Sequence, residues 1–110
     1  LYTSSATLGP TTTAFSTTNE SSGTNYTSGG ATLSNVAVSL SGTVAFVDFD
    51  DVSFSSATIS DAAGALIYNS SASNRAIAVL DFGSTKSVSG GTLTVSLPSA
   101  SATTALIRIS

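Results

Sequence analysis

The densest group of side chains that could do chemistry is an acidic stretch that contains Asp48, Asp50 and Asp51. Carboxylates placed this close together can bind a hard cation such as calcium through their oxygen atoms. The spacing does not match an EF-hand loop, which spreads further acids along the loop and ends on a bidentate Glu. The alternative is a polar turn at a strand end, in which Asp side chains accept hydrogen bonds from backbone N–H groups. We expect the turn, and we keep these three residues as a calcium candidate.

Few other side chains could carry catalysis. The chain has no Cys and no His. These absences exclude a disulfide, a thiolate nucleophile, a Cys or His metal site and a Ser-His-Asp triad. Glu20, Asp61 and Asp81 could pair with the acidic stretch for glycoside cleavage, but no pair is singled out. We therefore expect no catalytic residue, no cofactor and no enzymatic activity.

The overall charge also limits the choice of partner. The 110 residues carry a net charge of -3 with only three cations, too few for the basic surface that a nucleic acid requires. The longest apolar run, residues 76–80, is far shorter than the roughly 20 residues of a membrane-spanning helix. Charged residues make up 8%, against about 25% in an ordinary soluble domain. With 23 Ser and 17 Thr, the surface must be rich in hydroxyl groups, as suits a protein packed against neighbours.

The first 24 residues differ from the rest of the chain. They are rich in Ser and Thr, and their apolar residues follow no period. We predict an extended N-terminal arm over residues 1–24 that has no core of its own. Tyr2, Leu8 and Phe15 are its candidate anchors, in a groove either of a neighbour or of the domain body. Tyr26, just beyond the arm, is a fourth candidate for partner binding.

Residues 25–110 alternate with period two and show no helical window. About eight short strands with turn residues between them predict an all-β domain, an antiparallel β-sandwich or a jelly-roll-like barrel. The continuous apolar runs 64–68 and 76–80 predict central strands that are buried on both faces. The alternating runs 36–40 and 92–97 predict strands with one face towards solvent or a partner.

Four ordered segments of this β-rich region resemble a family of small virion structural proteins of tailed bacteriophages. The segments are residues 23–33 (GTNYTSGGATL), 52–60 (VSFSSATIS), 64–69 (GALIYN) with 76–83 (AIAVLDFG), and 86–95 around GGTLTV. The resemblance covers residues 23–110. It implies a capsid decoration (cement) protein that sits in many copies on the outer surface of the phage head.

The resemblance implies that the partners are the major capsid protein and sister subunits, in a homotrimer, with no nucleic acid and no membrane. A neck, tail or head-fibre component of the virion remains an alternative. A second alternative is a subunit of an extracellular filament or surface layer, in which the arm would complete the sheet of a neighbour as a donor strand. A third is a carbohydrate-binding module or a small enzyme.

Overall fold

A computed structural model describes residues 1–98, 101 and 103–109 of the chain. All of the regular secondary structure in this part is β-strand, which confirms the predicted all-β class. The strands are β1 (Gly23–Thr24), β2 (Ala37–Ser41), β3 (Val44–Asp48), β4 (Val52–Asn69), β5 (Arg75–Val95) and β6 (Ile107–Ile109). Within these described residues there is no helix with the length and apolar character needed to cross a membrane.

The chain divides into two compact units that are interleaved along the sequence. The first unit comprises residues 1–30 and 54–93, and the second comprises residues 31–53 and 94–110. Each unit is built on one antiparallel sheet of three strands, in the order β1-β4-β5 in the first and β2-β3-β6 in the second. Residues 1–24 therefore belong to a unit that contains the middle of the chain.

The described residues form six strands where the sequence pattern predicts about eight, because β4 and β5 are long. Within β4, Ser56 and Asp61 have left-handed backbone, with φ of 49° and 56°. Side chains that face the core are normally two residues apart along a strand. Across each of these two residues the spacing becomes three, from Phe54 to Ala57 and from Ile59 to Ala62. A left-handed residue that inserts into a strand and shifts its alternation is a bulge. The pattern breaks that predict strand ends are therefore bulges within one continuous strand.

The N-terminal segment holds both bulges in place. The Asn25 side chain donates a hydrogen bond to the Ser56 carbonyl over 2.8 Å. The Asp61 carboxylate accepts hydrogen bonds from the backbone N–H and the hydroxyl of Ser4, at 3.3 and 3.1 Å. The buried Ser21 donates from its hydroxyl to the Asp61 carbonyl at 3.5 Å. Residues 1–25 therefore contribute directly to the shape of the sheet.

The core of the first unit is small. Its fully buried centre is Ala57, Ile59 and Ala62, all from β4. The partly buried side chains around this centre come from the N-terminal region and from both long strands, and they are Leu1, Tyr26, Phe54, Phe82, Val88 and Leu93. Two bulges allow three successive stretches of one strand to direct side chains into the same core, with Phe54 from the first, Ala57 and Ile59 from the second and Ala62 from the third.

One burial prediction is correct and the other is wrong. Residues 64–68 lie in β4, the middle strand of its sheet, and are mostly buried on both faces. Residues 76–80 lie in β5, which is an edge strand, and alternate between half-buried and exposed. Ile77 is 52% exposed and Val79 is 37% exposed. An apolar run is buried on both faces only where strands flank it on both sides and layers cover it.

The second unit contains a tight hairpin, which Ser41-Gly42 between two apolar runs predicts from the sequence. Strands β2 and β3 pair from Ala37 with Asp48 to Ser41 with Val44, and Gly42 occupies the turn with φ of 60°. Strand β6 pairs with the other edge of β3. Among the described residues of this unit, Ala105 is the only buried hydrophobic residue. Over its described residues, the second unit therefore has one sheet and no cluster of buried apolar side chains.

Substitution of Gly23 by alanine tests the pairing of β1 with β4. A Cβ atom at Gly23 would lie 1.9 Å from the carbonyl oxygen of Thr58, so the two backbones would have to separate. We expect Gly23→Ala to lower the free energy of unfolding by about 2–3 kcal/mol, as measured by urea denaturation. Gly9→Ala is the control, because nothing lies within 4 Å of its Cβ position. Equal stability of the two variants would contradict the β1–β4 pairing.

Candidate interaction surface

The structure places the predicted anchor Tyr2 against its own unit. Its side chain is 4% exposed, and its backbone bridges to both Glu20 and Gly64. The Tyr2 hydroxyl donates to the carbonyl of Ser16 at 2.5 Å and accepts from the N–H of Ser16 at 3.2 Å. The sequence left open whether this ring lies in a groove of a neighbour or of the domain body. In the structure it lies in the domain body.

Leu8 and Phe15 also lie on the first unit and are half-buried. The Phe15 ring stacks on Tyr68 with centroids 4.8 Å apart and planes inclined by 17°. Leu8 lines a shallow cleft of about 240 Å³ together with Tyr2, Leu80 and Asp81. The Asp81 carboxylate is the only carboxylate that lines this cleft, and it accepts a hydrogen bond from the N–H of Gly83 at 2.8 Å.

Tyr26 belongs to a hydrogen-bonded hub around the carboxylate of Glu20. The Glu20 oxygens accept hydrogen bonds from the Tyr26 hydroxyl at 2.9 Å, the Ser28 hydroxyl at 2.8 Å and the Gly29 N–H at 2.6 Å. The backbone nitrogen of Leu1 donates to the Tyr26 hydroxyl at 2.8 Å. One carboxylate thus closes the loop that ends at Gly29. Composition gave no signal for this role of Glu20.

The surroundings of Tyr26 favour its neutral form. Burial raises the pKa of Tyr26 far above its ordinary value of 10, and the hydrogen bond to Glu20 raises it further. The ring packs against Phe54 with centroids 5.3 Å apart. Tyr26, like Tyr2, therefore contacts its own unit with much of its surface.

The acidic stretch forms turn contacts in the second unit. Asp50 accepts hydrogen bonds from the Asn35 side-chain amide at 2.5 Å and from the Ser34 hydroxyl at 3.3 Å. Asp51 accepts from the N–H of Leu97 at 2.7 Å. Asp48 ends β3 opposite Ala37. Throughout the described residues, no three acidic side chains come together in a group that could hold a metal ion. Asp50 and Asp51 therefore have the hydrogen-bond partners expected of a polar turn, and the calcium role of Asp48, Asp50 and Asp51 stays a prediction.

The second unit exposes a continuous apolar sheet face. Residues that pair directly across strands share a face, and β3 lies between its two neighbours. One row of this face is Val38, Val47 and Ile107, and the next row is Leu40, Ala45 and Ile109. Val38 is 74% exposed, and Leu40 and Ile109 are each 72% exposed. We call these six residues the apolar face.

The opposite face of the same sheet is more polar. Its central row is Ser39, Phe46 and Arg108, and its next row includes Ala37 and Asp48. The strand pairing thus places the charged residues Asp48 and Arg108 on this opposite face. Alternation in residues 36–40 indicated one strand of the apolar face. The pairing of β6 with β3 could not be read from sequence, because it joins residues far apart in the chain.

Comparison of the chain with protein families, with curated proteins and with solved structures finds no match.

Removal of the Glu20 carboxylate tests the hub. We expect Glu20→Ala to lower the free energy of unfolding by about 2–3 kcal/mol, because hydrogen bonds to a charged group contribute strongly and three donors lose their acceptor. Asp81→Ala is the matched control, with the same change in net charge and a single exposed hydrogen bond. Urea denaturation measures both variants. A loss for Glu20→Ala no greater than that for Asp81→Ala would contradict the structural importance of the hub.

The raised pKa of Tyr26 predicts a pH dependence of stability. The folded chain keeps the phenol proton at a pH where the unfolded chain releases it, so stability is fully present below pH 10 and is lost as the pH rises above it. Burial of Tyr2 raises its pKa in the same direction. We expect Tyr26→Phe to reduce the loss of unfolding free energy between pH 8 and about pH 11. An undiminished loss in this variant would show that Tyr26 is not the group responsible.

Proposed function

We propose that this chain is a non-enzymatic structural protein of a virion, a capsid decoration (cement) protein that binds the outer surface of a phage head. The major capsid protein and sister subunits are its proposed partners. The observation that carries the proposal is that apolar side chains of both sheets are exposed on a chain with very few charges. Ile77 and Val79 lie exposed on β5, and Val38, Leu40 and Ile109 lie exposed on the apolar face.

The physical chemistry of such a surface supports repeated assembly. Bringing two charged surfaces together removes ions from water at a high free-energy cost, whereas hydroxyl and apolar groups avoid most of this cost. Symmetry repeats each modest contact many times, so a shell gains stability without strong binding at any single site. The resemblance of residues 23–110 to virion proteins of tailed phages is the support for proposing a capsid as the site of this assembly.

A second contact mode is available at β5. This strand lies at the edge of its sheet and is 21 residues long. Residues 13–15 of the N-terminal segment cover only its beginning, where Ala14 bridges to Arg75 and the Thr13 carbonyl accepts from the N–H of Ala76. Beyond Ala76, an exposed edge with apolar side chains suits the addition of a strand from a capsid subunit.

The filament alternative is less well supported. A subunit that donates its N-terminal strand to a neighbour needs that segment free of its own body. Here Tyr2 is buried in its own unit, and Ser4 and Asn25 hold the bulges of β4. Removal of this segment would disturb the donor itself.

Immunogold electron microscopy of the source lysate tests the proposal. An antibody to the chain should label icosahedral heads over their whole surface, with antibody pre-absorbed on purified chain as the control. Label confined to one vertex or to tails would keep the virion assignment and replace the cement role with a neck, tail or fibre role. Label along filaments or on cell surfaces would overturn the virion assignment.

A further inference from the structure

One short stretch of chain is already seated on the outer edge of β5, and it shows what this edge binds. The N–H of Ala76 donates to the Thr13 carbonyl at 2.9 Å. The N–H of Phe15 donates to the Asn74 carbonyl, also at 2.9 Å. Because β4 lies on the other side of β5, these groups of Asn74 and Ala76 point to the outer edge. The edge therefore accepts an extended chain that runs antiparallel to β5.

The same edge continues beyond this contact. Alternate residues of a strand direct their N–H and C=O groups to the same side, so Ala78 and Leu80 present theirs to the same edge as Ala76. Among the described residues, no strand pairs with this edge beyond Ala76. The regular stretch ends before Gly83, where left-handed backbone with φ of 74° interrupts it. A row of backbone donors and acceptors specifies a further strand as its occupant.

We propose that residues 75–82 are a self-association strand, which pairs antiparallel with the same strand of a second copy of this chain about a two-fold axis at Ala78. Residues 13–15 occupy this edge beside Arg75, so the second copy takes their place. We call residues 13–15 the edge guard. The proposal concerns the chain alone and does not require the virion assignment.

A two-fold axis at Ala78 matches the charges of the strand. It places Arg75 of each copy directly opposite Asp81 of the other. Within one copy these two residues lie on the same exposed face about 20 Å apart, too far to pair with each other. They are the only charged residues of the stretch, so no other two-fold register brings a cation opposite an anion. Opposite charges across two strands stabilise a register, and like charges oppose it.

The apolar side chains match in the same register. Ile77 of each copy lies opposite Val79 of the other, on the same exposed face as the charged pair. In a single copy Ile77 is 52% exposed and Val79 is 37% exposed, so each gains cover from the pairing. The charges therefore determine which register forms, while the backbone ladder and the apolar pairs supply the affinity.

The edge guard sets the expected strength. It is held by two backbone hydrogen bonds and by the stacking of Phe15 on Tyr68, and a second copy must displace the backbone contact. Tyr2 and Ser4 can stay in place, since their contacts lie on β4. We expect a weak dimer of the intact chain, half-formed at a concentration on the order of 100 µM. Phe15→Ala removes the stacked ring and should tighten the dimer about fivefold.

Charge reversal in two separate chains tests the register, with sedimentation equilibrium of the purified full chain as the measurement. Arg75→Glu and Asp81→Lys should each weaken the dimer about tenfold, because each brings like charges together twice. An equimolar mixture of the two variants should recover the original affinity, since every charge in a mixed pair again meets its opposite. Lys86→Glu is the matched control, because it reverses a charge of β5 outside the paired stretch, and it should change the dissociation constant less than twofold.

Ala78→Pro is a further variant, and it decides the question if circular dichroism shows that a charge variant does not fold. It removes an N–H that faces the free edge, which an edge strand tolerates, and it should abolish the dimer. The proposal is overturned if the intact chain and Phe15→Ala both stay monomeric, or if the mixture associates no more tightly than its components. It is also overturned if Lys86→Glu weakens the dimer as much as Arg75→Glu. A monomeric chain would leave a capsid strand as the occupant of this edge and would not contradict the virion assignment.

Discussion

Strand β4 directs side chains into one core from three successive stretches, and it does so by inserting an extra residue at Ser56 and again at Asp61. A non-glycine residue in left-handed backbone carries strain on the order of 1–3 kcal/mol, so each bulge persists only where neighbours hold it. Asn25 holds the first bulge, and Ser4 and Ser21 hold the second. The small core of Ala57, Ile59 and Ala62 depends on these contacts, as does the position of the N-terminal segment.

Fold class and the β2–β3 hairpin were predictable from sequence, because alternation and a turn glycine are local signals. Strand number was not, because a bulge and a strand end both interrupt the alternation. Residues 76–80 show a related limit, since an apolar run does not reveal whether its strand lies in the middle or at the edge of a sheet. The hub around Glu20 joins groups brought together by folding, so a single acid in a Ser/Thr-rich stretch gave no sign of it.

The two units use the same composition in different ways. In the first unit, hydroxyl and amide groups of the N-terminal segment bind backbone carbonyls of β4 and the Asp61 carboxylate, and they stabilise an irregular strand. In the second unit, the carboxylates of Asp50 and Asp51 accept hydrogen bonds from neighbouring groups. The β2-β3-β6 sheet of this unit has one apolar face. Small polar groups therefore serve internal hydrogen bonding in the first unit, and the scarcity of charge leaves one face of the sheet uncharged in the second.

The hydrogen bonds that hold the two bulges also determine the order in which the chain can fold. Ser4 and Asp61 are 57 residues apart in the sequence, and Asn25 and Ser56 are 31 apart. Neither bulge can acquire these hydrogen bonds until residues 56–61 of β4 lie beside the N-terminal segment. Such distant pairings are slow to form, which places folding in the millisecond-to-second range typical of β-rich domains. For that interval the rings of Tyr2 and Phe15 remain exposed to solvent, and nascent copies are most open to pairing with one another.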